Sequence, residues 1–521
     1  MPARIAGRSW CAGVSRTRRL QSIRRGRSEG APCRPSLAAR RLGTGFAAAV
    51  TAAAIASTTA VRSADAQEGA RRPSRCLTDT TATAPTGAAL AAATTDTVAP
   101  GMTYSCRRVA QGPWLLHVVS IDLRSGRLAI DAERASGRRL GRERVSDMAA
   151  RLRAAGKAPL VIINADFFDL QTGEVENNHV ERGEWVKGLL LSDSPHDEFD
   201  NAHTQLAIDA RGQPSIGRHR LDGRVIARDR AEPLVGINYR PPRPAGLVLY
   251  TPRFGPRTPS DSSARGRGNR PVDPDARPPG ATPDTSPPRA PSTSQLRADS
   301  ARLASLAATR EALELSLRRV GNSADTLLYE VTAEVARVGG GTVISPEGAV
   351  LSATGNARAF VRALAGRGGR LRVVARLAPS GLAPRAVVGG WPGVVRDGVN
   401  VAARADSLEG TFPRFSSARH PRSAVAVTRD SSTLLLVVVD GRRPWSVGMS
   451  LSELADQLLA LGAWQAMNFD GGGSSALWVN GSVVNYPSDP SGERAVGNAL
   501  VVYKAAATPP LPPAPRRRGD P

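Results

Sequence analysis

From Trp114 onward the apolar positions fall in short strand-like blocks. Residues 115–119 (Leu-Leu-His-Val-Val) form one, and 128–130 follow after the turn Arg124-Ser125-Gly126. Helical spacing over 145–155 leads into the apolar strand 160–163, and further strands run to 247–250. The pattern then breaks. Residues 256–294 are rich in Pro, Ser, Arg and Asp with almost no large apolar side chains, which predicts a disordered linker. Residues 296–320 read as one charged amphipathic helix. Strands resume at 327–331 and continue to Tyr503. No internal repeat is evident.

The last hundred residues are the most informative. Residues 433–439 (Thr-Leu-Leu-Leu-Val-Val-Val) predict a buried strand ending at Asp440-Gly441-Arg442. Ser450 and Glu453 have capping-box spacing ahead of a helix over 451–461 that stops at Gly462. A second strand over 464–469 ends at Asp470-Gly471-Gly472-Gly473-Ser474-Ser475. Strand, helix and strand of these lengths predict a βαβ crossover with parallel strands. Asp440 and Asp470 would then share one sheet edge, where open α/β sheets bind ligands. The strand 160–163 ends likewise at Asn164-Ala165-Asp166. The expected fold class is α+β or α/β, a mixed β-sheet core flanked by helices. One domain over 104–503 is expected, interrupted by the Pro-rich linker and helix at 256–322, rather than two independent domains.

Composition fits a folded exported protein. The chain has 521 residues, 41% of them hydrophobic, with 51 Gly and 40 Pro, so long unstructured segments should join the folded parts. The net charge of +24 comes from 70 basic residues, of which Lys157, Lys187 and Lys504 alone are lysine, leaving 67 Arg. Residues 1–66 carry twelve of those Arg against Glu29 and Asp65, or +10 of the total. The rest is spread thinly, and aromatics are only 4%, too sparse for base-stacking platforms, so no nucleic-acid partner is expected. Arg40-Arg41, an Ala-rich apolar run to about Val61 and Ala64-Asp65-Ala66 read as a signal segment over 1–66, with Arg40-Arg41 also readable as a twin-arginine signal. No other stretch reaches the ~18 apolar residues of a transmembrane helix, so no stable membrane insertion is expected after signal cleavage. The mature protein should lie outside the cytoplasm, periplasmic or secreted. Residues 67–103 read as a flexible lead-in and 504–521 as a disordered tail. Cys11 and Cys33 fall in the presequence. A disulfide between Cys76 and Cys106 would close a loop of about thirty residues and stabilise by roughly 3 kcal/mol. No Cys/His spacing suits zinc, and no cofactor is called for.

Three glycines after Asp470 let the backbone turn its N–H groups toward one point, a nest for a phosphate or sugar oxygen. At this point a family resemblance emerges. Asn468-Phe469-Asp470-Gly471-Gly472-Gly473-Ser474-Ser475, Val479-Asn480-Gly481-Ser482-Val483-Val484-Asn485 and Glu493-Arg494-Ala495-Val496-Gly497-Asn498 resemble the phosphodiester glycosidase family. His420-Pro421-Arg422-Ser423, Asp440-Gly441-Arg442, Asn164-Ala165-Asp166-Phe167-Phe168 and Gly389-Gly390-Trp391-Pro392-Gly393 extend the resemblance over most of 110–503. Departures are Asn-Ala-Asp where Asn-Gly-Gly or Asn-Gly-Asp is usual, and Ser423 where Thr commonly follows the Arg.

The resemblance implies hydrolysis of a sugar 1-phosphodiester, releasing the sugar and leaving a phosphomonoester. A phosphate on the anomeric carbon leaves readily, so N–H donors or positive charge and one carboxylate matter more than a strong acid. Asp470 suits that carboxylate as nucleophile or base. Arg422 suits a phosphate clamp, because a guanidinium binds two oxygens in a fork, unless it pairs with Asp440 or Glu493. Asp166 would be the partner acid/base unless it caps a turn. Asn164 would orient sugar hydroxyls, and Gly471, Gly472, Gly473 and Ser474 would supply donors. Asp440, Glu493 and Arg494 are further candidates for substrate contact, each with a structural alternative. His179 and His420 could reach the site. Asn480-Gly481 reads as a type I′ turn without a chemical role. Two other functions stay open. One is a carbohydrate- or wall-binding module without turnover; the other is a phosphodiesterase holding a hard cation on Asp440, Asp470 and Asp166. Envelope or exopolysaccharide glycans would be a fitting substrate.

Overall fold

The computed structural model describes residues 94–240, 245–260, 307, 311–323, 325–333, 335–366 and 368–505. These lie in one compact unit, mostly β with a few helices. The expected signal segment, most of the Pro-rich linker, nearly all of the expected tail and most of the expected lead-in lie outside the described residues; the described end of that lead-in is not flexible, since Thr94–Ala99 is a strand and the next begins at Met102.

An eight-stranded sheet runs Thr94–Ala99, Met102–Val109, Trp114–Asp122, Thr433–Val439, Arg422–Thr428, Ala463–Asn468, Gly393–Arg396, Val399–Asn400. A five-stranded sheet runs Ser482–Val483, Leu477–Val479, Pro159–Asn164, Asn498–Lys504, Leu128–Arg134. The continuous apolar run of Thr433–Val439 reflects burial on both faces. Leu434, Leu436 and Val438 pack with Val161, Ile163, Leu477 and Leu500 of the smaller sheet. Leu435, Val437 and Val439 point the other way, onto Leu451, Leu454 and Leu458 of the helix Leu451–Ala460. Helix Val145–Ala154 covers the far face of the five-stranded sheet through Met148 and Leu152 against Ile162, Trp478 and Val501. The layers therefore run helix, sheet, sheet, helix. Each fully buried Leu or Val contributes roughly 1.5–3 kcal/mol relative to exposure.

The third sheet contains a closed barrel. Its seven strands follow the order Arg220–Ala227, Arg370–Ala378, Thr326–Val331, Leu313–Asn322, Gly348–Ala353, Leu247–Tyr250, Arg230–Ile237, and the last pairs back with the first. Leu221, Val225, Leu315, Leu351 and Val373 fill it, and helix Ala357–Leu364 adds Phe360 and Val361 to the same core.

Local signals in the sequence appear where expected. Ser450 accepts from Glu453 N, and the Glu453 side chain accepts from Ser450 N, so the capping box is complete. Asn480 and Gly481 both have positive φ (43° and 118°) between paired strands. Cys106 is disulfide-bonded; its expected partner, Cys76, lies outside the described residues.

Two expectations are corrected. The helix over 296–320 is not formed at its C-terminal end, where Leu313–Asn322 is a barrel strand. Leu313, Leu315 and Leu317 alternate inward with period two, and this overrides the helical spacing. The strands at 433–439 and 463–468 do run parallel to one another, but the crossover spans a third strand, because Arg422–Thr428 stands between them and is antiparallel to both.

Candidate active site

That intervening strand brings the site together. Arg422 is opposite Val439, and Ala424 is opposite Asn468, so Arg422, Asp440 and the glycine loop gather at one sheet edge. Arg422 is 1% exposed. Its Nε donates to Met449 O (2.9 Å), and Nη2 donates to Phe415 O and Ala418 O (3.0 Å each). Among the described residues no carboxylate forms an ion pair with it. Burial, and then repulsion from Arg442, pulls its pKa down to about 9, which leaves it charged at neutral pH. A buried charge held by carbonyl dipoles alone is costly, and an anion would relieve that cost.

The glycine loop is bolted to this edge. Phe469 N donates to Ser423 O (2.8 Å), Asp470 N to Ala165 O (2.8 Å) and Gly472 N to Pro421 O (2.9 Å). Asn164 sits underneath: its Nδ2 donates to Asp470 O (2.6 Å), and its Oδ1 accepts from Ser423 Oγ (2.7 Å) and Ala476 N (3.1 Å). Asn164 is thus fully occupied in positioning the loop. Gly472 has φ +59°, and a Cβ on Gly471 would stand 2.8 Å from Pro421 O. A Cβ on Gly473 would overlap the Asp489 carboxylate and the Arg494 guanidinium. Those two side chains form a forked pair at 2.8 and 3.0 Å. The hydroxyls of Ser474 and Ser475 are buried with no protein partner among the described residues.

Asp166 lies just beyond the next strand end. Asn177 clamps both its oxygens, from Nδ2 at 2.7 Å and from N at 3.0 Å, while Asn498 Oδ1 accepts from Asp166 N (2.9 Å). Burial dominates over these hydrogen bonds and pushes its pKa up to about 6. Beside it is Glu176, which sequence reasoning passed over. Burial raises Glu176 well above the carboxylate range, and the charge of Asp166 raises it further. Asp197 and Asp193 raise it too, although Asp193 meets Lys187 Nζ at 3.3 Å and Asp197 lies 2.8 Å from His203 Nε2. Asp166 and Glu176 are therefore a coupled carboxyl dyad, in which a charge on Asp166 disfavours one on Glu176.

Other sequence candidates are anchored elsewhere. Asp440 is buried, with Oδ2 on His117 Nε2 (3.0 Å) and Oδ1 accepting from Tyr486 N (2.9 Å). Tyr104 OH lies 2.9 Å from His117 Nδ1, completing an internal chain. Glu493 accepts from Ser146 N (2.9 Å) and Ser146 Oγ (2.6 Å), capping helix Val145–Ala154. His179 faces Glu181 and Asn498 in the interior. Among the described residues no group of three or more His, Cys, Asp or Glu is arranged to hold a metal. Asp440 spends its oxygens on His117 and Tyr486, which leaves the metal-dependent alternative without its ligand set.

Comparison with known proteins points the same way as the motifs. Residues 326–503 match the family model for phosphodiester glycosidases. It is 35% identical over 107 residues to bovine N-acetylglucosamine-1-phosphodiester alpha-N-acetylglucosaminidase, covering 19% of this chain and 20% of that protein. It is 38% identical over 84 residues to the SPbeta prophage-derived uncharacterized protein YomE of Bacillus subtilis, covering 16% and 13%. These matches span a fifth or less of the relatives' own lengths. In fold it is similar to a crystallised hypothetical protein from Synechocystis, with a TM-score of 0.54 and 22% identity over 80% of this chain and 64% of that one.

Proposed function

We propose that this protein is an exported glycosidase that hydrolyses α-glycosyl 1-phosphodiesters, releasing the sugar and leaving a phosphomonoester, with envelope or exopolysaccharide glycans as its natural substrates. The observation that carries the reading is the buried Arg422, whose guanidinium has no carboxylate ion-pair partner among the described residues and whose side-chain stem passes Gly471 of the glycine-rich turn. In this reading Arg422 holds the phosphate with the amides of Gly471 and Gly473, matching its fixed negative charge and the charge that develops as it leaves, while the amides of Asp470, Gly472 and Ser474 donate within the protein. Asp470, at the start of that loop, flanks the anomeric carbon and steadies its positive charge. Asp166 takes a proton from water as the water oxygen bonds to the anomeric carbon. The bond from that carbon to the phosphate oxygen breaks, and its electron pair stays on the phosphate. Burial and the charge of Asp166 both disfavour ionisation of Glu176.

The test is sugar release from a panel of α-glycosyl 1-phosphodiesters by the mature protein, Asp470→Asn and Arg422→Ala, each with and without chelator. Turnover that survives chelation and vanishes in both folded variants supports the reading. No turnover across the panel, with sugar binding intact, would replace it by a binding protein.

A further inference from the structure

An aromatic patch roofs Arg422. The Phe415 ring lies 5.2 Å from the Arg422 guanidinium carbon and stacks on Trp391 at 4.9 Å and 26°. Phe412 meets Phe415 at 5.6 Å, and Phe167 meets it edge-on at 6.0 Å. Trp391 is a fixed floor, 2% exposed, sandwiched between Phe415 and His203 (5.2 Å, 21°), with Nε1 donating to Glu409 O (2.8 Å). Phe167, Phe412 and Phe415 themselves remain only partly covered.

The patch is anchored to both chemical parts of the site. The carbonyl of Phe415 accepts from Arg422 Nη2, and Phe167 directly follows Asp166 in the chain. It therefore bridges the space between the buried cation and the carboxyl dyad. Three incompletely buried rings clustered over a guanidinium are a poor investment for stability alone, since each could bury more apolar area facing inward.

We infer that Phe167, Phe412 and Phe415 form the subsite for the sugar ring of a glycosyl phosphate, whose phosphate occupies Arg422. This rests on the phosphate reading of Arg422. A pyranose carries apolar C–H groups on its faces and hydroxyls around its rim. Laying one face on the rings buries apolar area and gains dispersion contact, while the rim stays free for polar partners. With the phosphate on Arg422, stacking of this kind turns the anomeric carbon toward Asp166. Inorganic phosphate has no face to stack and gains nothing from the rings.

Binding to the full chain distinguishes the alternatives, using titration calorimetry with α-glucose 1-phosphate, α-N-acetylglucosamine 1-phosphate, hexyl phosphate and inorganic phosphate. Phe412→Ala and Phe415→Ala should weaken at least one sugar phosphate tenfold or more and leave inorganic phosphate within twofold; Phe415→Tyr should restore stacking. Equal weakening of all four ligands would overturn the inference, reducing the rings to a support for Arg422, and so would no weakening of any. A loss for hexyl phosphate as large as for the sugars would also overturn it, making the patch a seat for an apolar acceptor. Failure of inorganic phosphate to bind the unmodified protein would instead remove the underlying assignment of Arg422, and the subsite with it.

Discussion

Arg422 and Asp440 stand at one sheet edge, since Arg422 is paired with Val439, the residue before Asp440, yet their side chains do not meet. Asp440 turns to His117 and Tyr486, while Arg422 takes the carbonyls of Met449, Phe415 and Ala418. This divergence keeps a cation buried beside the glycine loop without neutralising it.

Phosphate should therefore stabilise the protein through Arg422. At a hundred times its dissociation constant, a ligand bound only to the folded state adds about 2.7 kcal/mol, a shift of several degrees in Tm. Arg422→Lys keeps the charge but cannot reproduce the bonds to Met449 O, Phe415 O and Ala418 O that hold it in place, so it should lower kcat/KM by roughly 100-fold and abolish most of that shift. Calorimetric melting with and without phosphate reads the second effect directly. An unchanged shift in Arg422→Lys would place the phosphate elsewhere.

The carboxyl dyad predicts two pH effects. Asp166 has a folded pKa raised from 3.8 to about 6, so its burial costs nothing at low pH, where it is protonated in both states. Stability is lost as pH rises from about 4 to about 6, by up to about 3 kcal/mol in all, and no further above that. Asp166→Asn should be more stable than the unmodified protein at pH 7 and no more stable at pH 4, as read by urea denaturation.

In activity, ionisation of Asp166 should give kcat/KM a rising limb near pH 6, and deprotonation of Glu176 a falling limb at higher pH. Glu176→Gln cannot lose a proton there. It should keep the rising limb, abolish the falling one and retain a sizeable share of the rate, because phosphate leaves readily. A falling limb that persists in Glu176→Gln would assign it to another group.

Asp440→Ala should act on stability alone. It strands Tyr486 N and His117 in the interior at a cost of about 2–4 kcal/mol. KM of the remaining folded enzyme should change less than threefold, measured at a temperature well below its lowered midpoint.

Gly473→Ala should do the reverse. The new methyl would displace the Asp489–Arg494 pair from the loop, lowering kcat/KM more than tenfold with a smaller loss of stability. Steady-state kinetics beside a melting curve separates the two.

The strands and the capped helix around the site were legible because each depends on neighbours in sequence: Ser450 and Glu453 are three apart, and the apolar run at 433–439 is contiguous. Relations between distant segments were not. Nothing in the spacing placed Arg422–Thr428 between the two flanking strands, or closed Arg220–Ala227 onto Arg230–Ile237 and Arg370–Ala378 as a barrel. Asp166 was identified as a candidate from its strand end, but Glu176 lies ten residues on, and only the fold brings the two acids together. Gly389-Gly390-Trp391 was conspicuous in the sequence, and its role as the floor of an aromatic patch depends on Phe415 arriving from another segment.

The strand Asn498–Lys504 ties together segments far apart in the chain. This last strand lies inside the five-stranded sheet, between Pro159–Asn164 and Leu128–Arg134, and its Asn498 holds the backbone of Asp166. A chain still emerging from the ribosome has every catalytic candidate translated before the strand that braces them. A chain cut before residue 498 would carry these groups without the strand that braces Asp166.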